Sequence, residues 1–77
     1  MNKVVIYTQP DCPPCEIVKL FLKDQGISYV EKNIKEDKKA KRELIHELQS
    51  FSTPTTIVND TVIKGFQLEE IQSALQN

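Results

Sequence analysis

Two cysteines separated by two prolines are the side chains of this sequence with the clearest chemistry. Cys12, Pro13, Pro14 and Cys15 are consecutive. A Cys-x-x-Cys pair that follows a strand and opens a helix is typical of thiol–disulfide exchange, whereas the same pair elsewhere is a weak signal. If the helix begins at Pro13, both sulfurs lie within one helical turn and can form a redox-active disulfide.

The two thiols are predicted to have different roles. Cys12 is expected at the N-cap, where backbone N–H groups and the positive end of the helix dipole favour its thiolate, so it is the predicted nucleophile. Cys15 is the third helical residue. It is placed to attack a mixed disulfide on Cys12 and release the reduced partner, which makes it the predicted resolving thiol.

Two other readings of the cysteine pair are disfavoured. A permanent structural disulfide would close a very small loop, which gives little entropic stabilisation, and cytosolic thiols are kept reduced. A zinc site needs four ligands, and only His46 is left to join the two thiolates. We therefore expect no metal and no bound cofactor. A metal-binding or redox-sensing module without enzymatic activity stays open as an alternative of another class.

The first half of the chain predicts a strand, a helix and a second strand around this pair. Residues 3–8 form a nearly continuous apolar run, typical of a central strand buried on both faces. The predicted helix covers residues 13–25 and ends before a glycine at position 26. Residues 27–34 suit an edge strand. The apolar stripe of the helix consists of Ile17, Val18, Phe21 and Leu22.

The second half predicts a helix, a hairpin and a last helix. Residues 35–42 are charged except for one alanine, and we interpret them as the solvated face of a helix over residues 37–49. The strands 55–58 and 61–64 flank Asn59 and Asp60, a good two-residue hairpin loop. The last helix is expected to follow Phe66. Phe51 is expected in the core, and His46 is expected to be exposed. The order is β-α-β-α-β-β-α in one domain, residues 1–77.

Composition excludes several classes of partner. Ten Lys and Arg against eleven Asp and Glu argue against binding to nucleic acid through phosphate neutralisation. The longest apolar runs, such as Val4 to Tyr7, are far shorter than the roughly 18 residues of a membrane span. The first residues also show no apolar segment or cleavage site typical of export. A cytoplasmic monomer is therefore the expectation.

The strand, the Cys-Pro-Pro-Cys helix start and Thr53-Pro54 before the hairpin resemble the thioredoxin superfamily, and within it the small glutaredoxins and NrdH-redoxins. This resemblance covers essentially the whole chain. It implies a thioredoxin-like three-layer α/β fold with a four-stranded mixed sheet. It also implies that the Thr53–Pro54 bond is cis and lies against the cysteines, where the backbone of Thr53 can pair with a substrate strand.

The same resemblance distinguishes two electron donors. Glutaredoxins usually have a lysine shortly before the first cysteine, a tyrosine as third motif residue, and a Gly-Gly-acid segment, which together hold glutathione. Here Gln9-Pro10, Pro14 and residues 64–67 (Lys-Gly-Phe-Gln) stand in those places, which argues against a glutathione site. The Gly65-Phe66 pair is instead similar to the Gly-Phe pair that opens the last helix of NrdH-redoxins. This implies thioredoxin reductase as donor and ribonucleotide reductase as acceptor, with a glutathione-dependent glutaredoxin as the alternative.

Two aromatic residues are predicted to line the active site, each with a structural alternative. Tyr7, at the end of the first strand, lies near the cysteines or completes the core. Phe66 contacts a partner or fixes the entry of the last helix as a staple.

Overall fold

The computed structural model describes residues 3–76, so the ends of the predicted domain at Met1, Asn2 and Asn77 lie outside the described residues. The predicted order of elements is confirmed, with a π-helical segment added after the second helix. The elements are β1 (Val4–Thr8), α1 (Pro13–Asp24), β2 (Val30–Asn33), α2 (Lys38–Arg42), the π-helical segment (Glu43–Glu47), β3 (Thr55–Val58), β4 (Thr61–Lys64) and α3 (Leu68–Gln76).

The four strands form one mixed sheet in the order β2-β1-β3-β4. β1 pairs parallel to β2 and antiparallel to β3, and β3 pairs antiparallel to β4. β1 is thus the central strand that its apolar run predicts. Because Thr8 and Asn33 are paired at the ends of the parallel strands, the loop to α1 and the loop to α2 leave the sheet at the same edge.

Each face of the sheet is covered by helix, which gives the three layers. α1 and α3 cover one face, and its buried apolar cluster consists of Val4, Ile6, Val18, Leu22, Val58, Ile63 and Ile71. α2 and the π-helical segment cover the other face, where the buried cluster consists of Tyr7, Ala40 and Leu44. Alternate residues of β1 therefore belong to different clusters, as the period of two requires.

α1 begins and ends close to its predicted limits. Its C-terminus is closed by Gly26, whose φ of 71° is the left-handed conformation that glycine adopts most easily. Val18 and Leu22 are fully buried as expected, and Phe21 packs against their cluster. Ile17 differs from the prediction because 46% of its surface is exposed. It lies at the flank of the stripe, beside the start of the helix.

β2 is an edge strand as predicted, but it is shorter than the predicted 27–34. The Ile27 N–H donates to the Leu22 carbonyl at 2.9 Å, so this residue completes the end of α1. Ile27 and Tyr29 both pack against the α1/α3 cluster. The chain before Val30 therefore covers the core and does not extend the sheet.

The predicted helix 37–49 changes its hydrogen bonding halfway. The Asp37 carboxylate caps α2 by accepting the N–H of Lys39 and Ala40 at 3.0 and 3.1 Å. After Arg42 the bonding shifts to the i→i−5 pattern of a π-helix, as between the Leu48 N–H and the Glu43 carbonyl. Periodicity in the sequence does not reveal this shift, because the apolar positions are the same for both kinds of helix.

Phe51 is not in the core, and the prediction for it is wrong. Its side chain is 82% exposed, and Ser50 is buried in its place. The Ser50 N–H donates to the Leu44 carbonyl at 2.9 Å, and its hydroxyl lies 2.8 Å from that of Thr55. Because a polar residue satisfies these buried groups, the neighbouring aromatic ring turns outward. His46 is exposed, as expected.

Candidate active site

The N-terminus of α1 holds the two thiols as the sequence predicts. Cys12 is the N-cap, and Pro13 and Pro14 occupy the first two helical positions, where proline loses no helical hydrogen bond. The Cys15 N–H donates to Cys12 Sγ at 3.2 Å. Cys12 and Cys15 form a disulfide, with their Cα atoms 5.2 Å apart.

The two cysteines differ in exposure. Cys15 is completely buried behind the first turn of α1, whereas Cys12 is partly exposed. An incoming disulfide can therefore reach only one sulfur of the pair directly. This geometry suits attack by Cys12 and internal resolution by Cys15.

The turn before β3 approaches Cys12 from a distant part of the sequence. The Thr53–Pro54 peptide bond is cis, which confirms the expectation drawn from the resemblance. The Thr53 hydroxyl lies 3.7 Å from Cys12 Sγ, a long hydrogen bond to sulfur, and Pro54 is buried. The sheet thus places Thr53 beside Cys12, which lies 41 positions earlier in the chain.

Gly65 is joined to this turn, and Phe66 follows it. The Gly65 N–H donates to the Pro54 carbonyl at 2.9 Å, and the residue has a φ of 84°, which glycine adopts without strain. Phe66 is 47% exposed before the start of α3. The structure therefore connects Gly65 to the cis-proline directly, while the contact of Phe66 with a partner stays a prediction.

Tyr7 is held on the opposite side of the sheet from α1. Its hydroxyl donates to Glu43 Oε1 at 3.2 Å, and Lys32 Nζ lies 5.5 Å from its ring centroid. Burial raises the pKa of Tyr7, so the phenol keeps its proton and remains a donor. The ring packs with Ala40 and Leu44, which favours the core interpretation over the predicted lining role.

An open groove beside Cys12 contains an ion pair that the sequence did not indicate. It has a volume of about 740 Å³ and is lined by Cys12, Ile17, Lys19 and Glu31, among others. Lys19 Nζ lies 3.1 Å from Glu31 Oε2. The exposure of Ile17 is explained by its position on the wall of this groove.

The Glu31 carboxylate is held by two donors. The Thr8 hydroxyl donates to it at 2.7 Å, and this bond, together with Lys19, holds the pKa of Glu31 below its usual value. The hydrogen bond to Glu16 and the pairing with Glu31 raise the pKa of Lys19. The alternation of charge along β2 is the only sequence signal that could have suggested this arrangement.

Two further properties concern the described residues alone. Within residues 3–76, no group of three or more His, Cys, Asp or Glu side chains is arranged to hold a metal ion. None of the helices in that range is both long enough and apolar enough to cross a membrane.

The sequence matches a known protein family over most of its length. The sequence model of the glutaredoxin family matches residues 4–63. A glutaredoxin-like 8.6 kDa protein in the rubredoxin operon of Clostridium pasteurianum is 29% identical over 73 residues, which cover 95% of this chain and 97% of that protein.

Solved structures agree with this match. The crystal structure of the thioredoxin-like protein BC3987 superposes with a TM-score of 0.91 and 46% identity, covering 94% of this chain and 99% of that one. NrdH-redoxin from Escherichia coli, described as a glutaredoxin-like protein with a thioredoxin-like activity profile, superposes with a TM-score of 0.81 and 26% identity over 92% of each chain. The predicted thioredoxin-like fold is therefore confirmed.

Proposed function

Because the chain belongs to the glutaredoxin family, we propose that it is an NrdH-redoxin-like electron donor that takes electrons from thioredoxin reductase and passes them to ribonucleotide reductase. Family membership makes the protein a thiol–disulfide oxidoreductase that carries the Cys12–Cys15 pair. The roles of the individual residues and the identity of the two partners are the proposed part.

The unequal exposure of the two cysteines is the observation that carries the proposed mechanism. The Cys12 thiolate attacks one sulfur of the acceptor disulfide, and the other sulfur leaves as a thiolate and takes up a proton. The Cys15 thiolate then attacks Cys12 Sγ. This step releases the second acceptor thiol and forms the Cys12–Cys15 disulfide, so two electrons have passed to the acceptor.

Two donors support negative charge on Cys12 in this mechanism. The Cys15 N–H points at Cys12 Sγ, and the Thr53 hydroxyl lies on the same sulfur. Hydrogen bonds to a charged group are stronger than those to a neutral one, so both contacts gain strength when the thiolate forms. Thr53 therefore acts as a positioning residue for the nucleophile.

The backbone of Thr53 is suited to hold the acceptor. In the described part of the chain, neither its N–H nor its carbonyl has a hydrogen-bonding partner. An extended segment of the acceptor can pair with these groups as an added strand, which would bring its disulfide to Cys12.

Residue types around the site support thioredoxin reductase over glutathione as the electron source. Pro14 stands in the motif, and Gln9 and Pro10 stand in the preceding loop, where glutaredoxins usually carry glutathione-binding residues. Gly65 precedes Phe66 in place of the Gly-Gly-acid segment. The relative with 26% identity combines a glutaredoxin-like sequence with a thioredoxin-like activity profile. We place this activity in the cytoplasm, where reductases keep thiols reduced.

NADPH oxidation in two coupled assays tests the proposal. The oxidised protein is the substrate, once with thioredoxin reductase and once with glutathione plus glutathione reductase. We expect rapid turnover in the first assay and slow turnover in the second, and Cys12→Ser is the inactive control. Turnover only with glutathione would overturn the proposed donor, and turnover with neither would overturn the proposed function.

A further inference from the structure

A small apolar groove lies beside the active site on the α2 face of the sheet. Its floor consists of Ile34, Leu44 and Ile45, and its volume is about 310 Å³. This is at the lower limit of the roughly 300 to 1,000 Å³ of small-molecule pockets, so it suits one or two side chains. We call it the Phe51 groove, after the ring at its edge.

The Phe51 groove lies next to the Thr53 backbone, with which we propose the acceptor segment pairs. Gln9, in the loop that leads to Cys12, forms part of its lining, and so does Phe51, two residues before Thr53. Two residues of extended chain span about 7 Å. When an acceptor segment pairs with Thr53, the acceptor side chain two positions from the reacting acceptor cysteine therefore enters the groove.

The exposure of Phe51 is imposed by its neighbours. Ser50 is fixed by hydrogen bonds to Leu44 and Thr55, and the Ser52 carbonyl accepts the Thr55 hydroxyl at 2.8 Å. An anchored segment that presents a large aromatic ring to solvent loses the favourable free energy that burial of the ring would contribute. The ring also borders the apolar floor of the groove, so it belongs to a contiguous apolar surface, which is the kind of surface that indicates a binding site.

The charges around the groove have one sign. Its lining includes Lys35 and Lys41, both exposed, and among the described residues no carboxylate belongs to that lining. The chain as a whole has a net charge of −1, so this positive charge is local. Complementarity therefore favours an acidic partner.

We propose that the Phe51 groove binds the acceptor protein's segment next to the disulfide, taking a large apolar side chain against Phe51 while an adjacent acidic residue pairs with Lys41 or Lys35. The inference rests on the proposed function, because it concerns the acceptor of the same two cysteines. It adds that acceptors are selected by sequence beside the disulfide.

Peptide disulfides of defined sequence test the inference. Three peptides have a central cysteine bonded to 2-pyridinethiol: Asp-Leu-Gly-Cys-Gly-Leu-Asp, the same with lysines in place of the aspartates, and the same with serines in place of the leucines. The Cys12 thiolate attacks the peptide sulfur, the pyridyl sulfur leaves as a chromophoric thione, and Cys15 then releases the peptide thiol. The rate of thione release by the reduced protein is measured for each.

The Asp-Leu peptide is expected to react fastest. Phe51→Ser should lower its rate about tenfold, because aromatic side chains that contact a partner are among those that contribute most to binding. Lys41→Glu should lower it about fivefold and should raise the rate of the lysine peptide. Two variants serve as controls. Leu20→Ser changes an exposed apolar residue on α1, away from the groove, and Lys38→Glu changes a lysine of α2 that does not line the groove.

A small neutral disulfide, 2,2′-dithiodipyridine, separates the two ways to fail. If wild-type protein reduces it but treats the three peptides alike, or if Phe51→Ser slows it as much as the peptides, the groove inference is wrong and the proposed function stands. If the reduced protein does not react with any disulfide, both are wrong. Reversal of charge preference by Lys41→Glu is a result that a general loss of structure would not give.

Discussion

The two faces of the sheet contribute differently to this protein. The face under α1 and α3 is covered by a continuous apolar cluster that joins three strands to two helices. The face under α2 has a smaller cluster and carries polar contacts among Tyr7, Lys32 and Glu43, with the Phe51 groove beside them. The comparison indicates that most of the stability comes from the first face, while the second leaves surface available for binding.

The largest effect is expected at the cysteine pair, at the start of α1. Cys12→Ser should abolish disulfide reduction, because no other accessible thiol can attack. Cys15→Ser should accumulate a mixed disulfide with the acceptor, because attack proceeds and resolution does not. Coupled NADPH assays and non-reducing gels measure the two outcomes. Full activity of Cys12→Ser would remove the mechanism.

Large-to-small substitutions compare the packing of the two faces. Leu22→Ala should lower the free energy of unfolding by about 3 kcal/mol, and Leu44→Ala by about 2 kcal/mol. Both leucines are buried, but Leu44 forms the floor of the open groove, so its surroundings can close more easily around the lost volume. Urea unfolding of the two variants measures the difference. Equal losses would show that the faces are packed equally well.

One carboxylate on each face of the sheet makes the stability of the protein depend on pH. The Thr8 hydroxyl and Lys19 lower the pKa of Glu31, and Lys32 lowers that of Glu43, from the usual 4.5. A lowered pKa stabilises the folded state above pH 4.5, and this contribution is lost as pH falls through the folded-state value.

Glu31→Gln and Glu43→Gln should therefore each lower stability at neutral pH by about 0.5 to 1 kcal/mol, a modest loss because both groups are partly exposed. The gap to wild type should narrow as the pH falls below 4.5 and through the folded-state pKa. Urea unfolding across this range measures it, with the exposed Glu47→Gln as control. A gap that does not change with pH would contradict the assignment.

Tyr7→Phe should give the smallest effect. It tests whether Tyr7 packs on the α2 face or lines the active site. Loss of the hydrogen bond to Glu43 should lower stability by about 0.5 to 1 kcal/mol. Turnover with a small disulfide should not change, because the phenol contacts the α2 face. A lower turnover at unchanged stability would instead support the predicted role of Tyr7 in lining the active site.

Local patterns were sufficient for the elements that begin and end with clear signals. Pro13 and Pro14 marked the start of α1, Gly26 its end, and Asn59 the hairpin loop, and all four residues lie where expected. The shift to π-helical bonding after Arg42 carried no such signal. The outward ring of Phe51 was missed because hydrophobicity alone does not show which neighbour has hydrogen bonds to satisfy.

The sequence by itself determined the redox pair and its local geometry. An N-cap cysteine, two prolines and a second cysteine lie within one turn of a helix, so spacing alone brings the sulfurs together. Only the tertiary structure decided what surrounds Cys12. Thr53 reaches it from 41 residues away, and the Phe51 groove combines residues from four separate stretches of chain. Such contacts depend on strand order and register, which are fixed by the packing of the whole sheet.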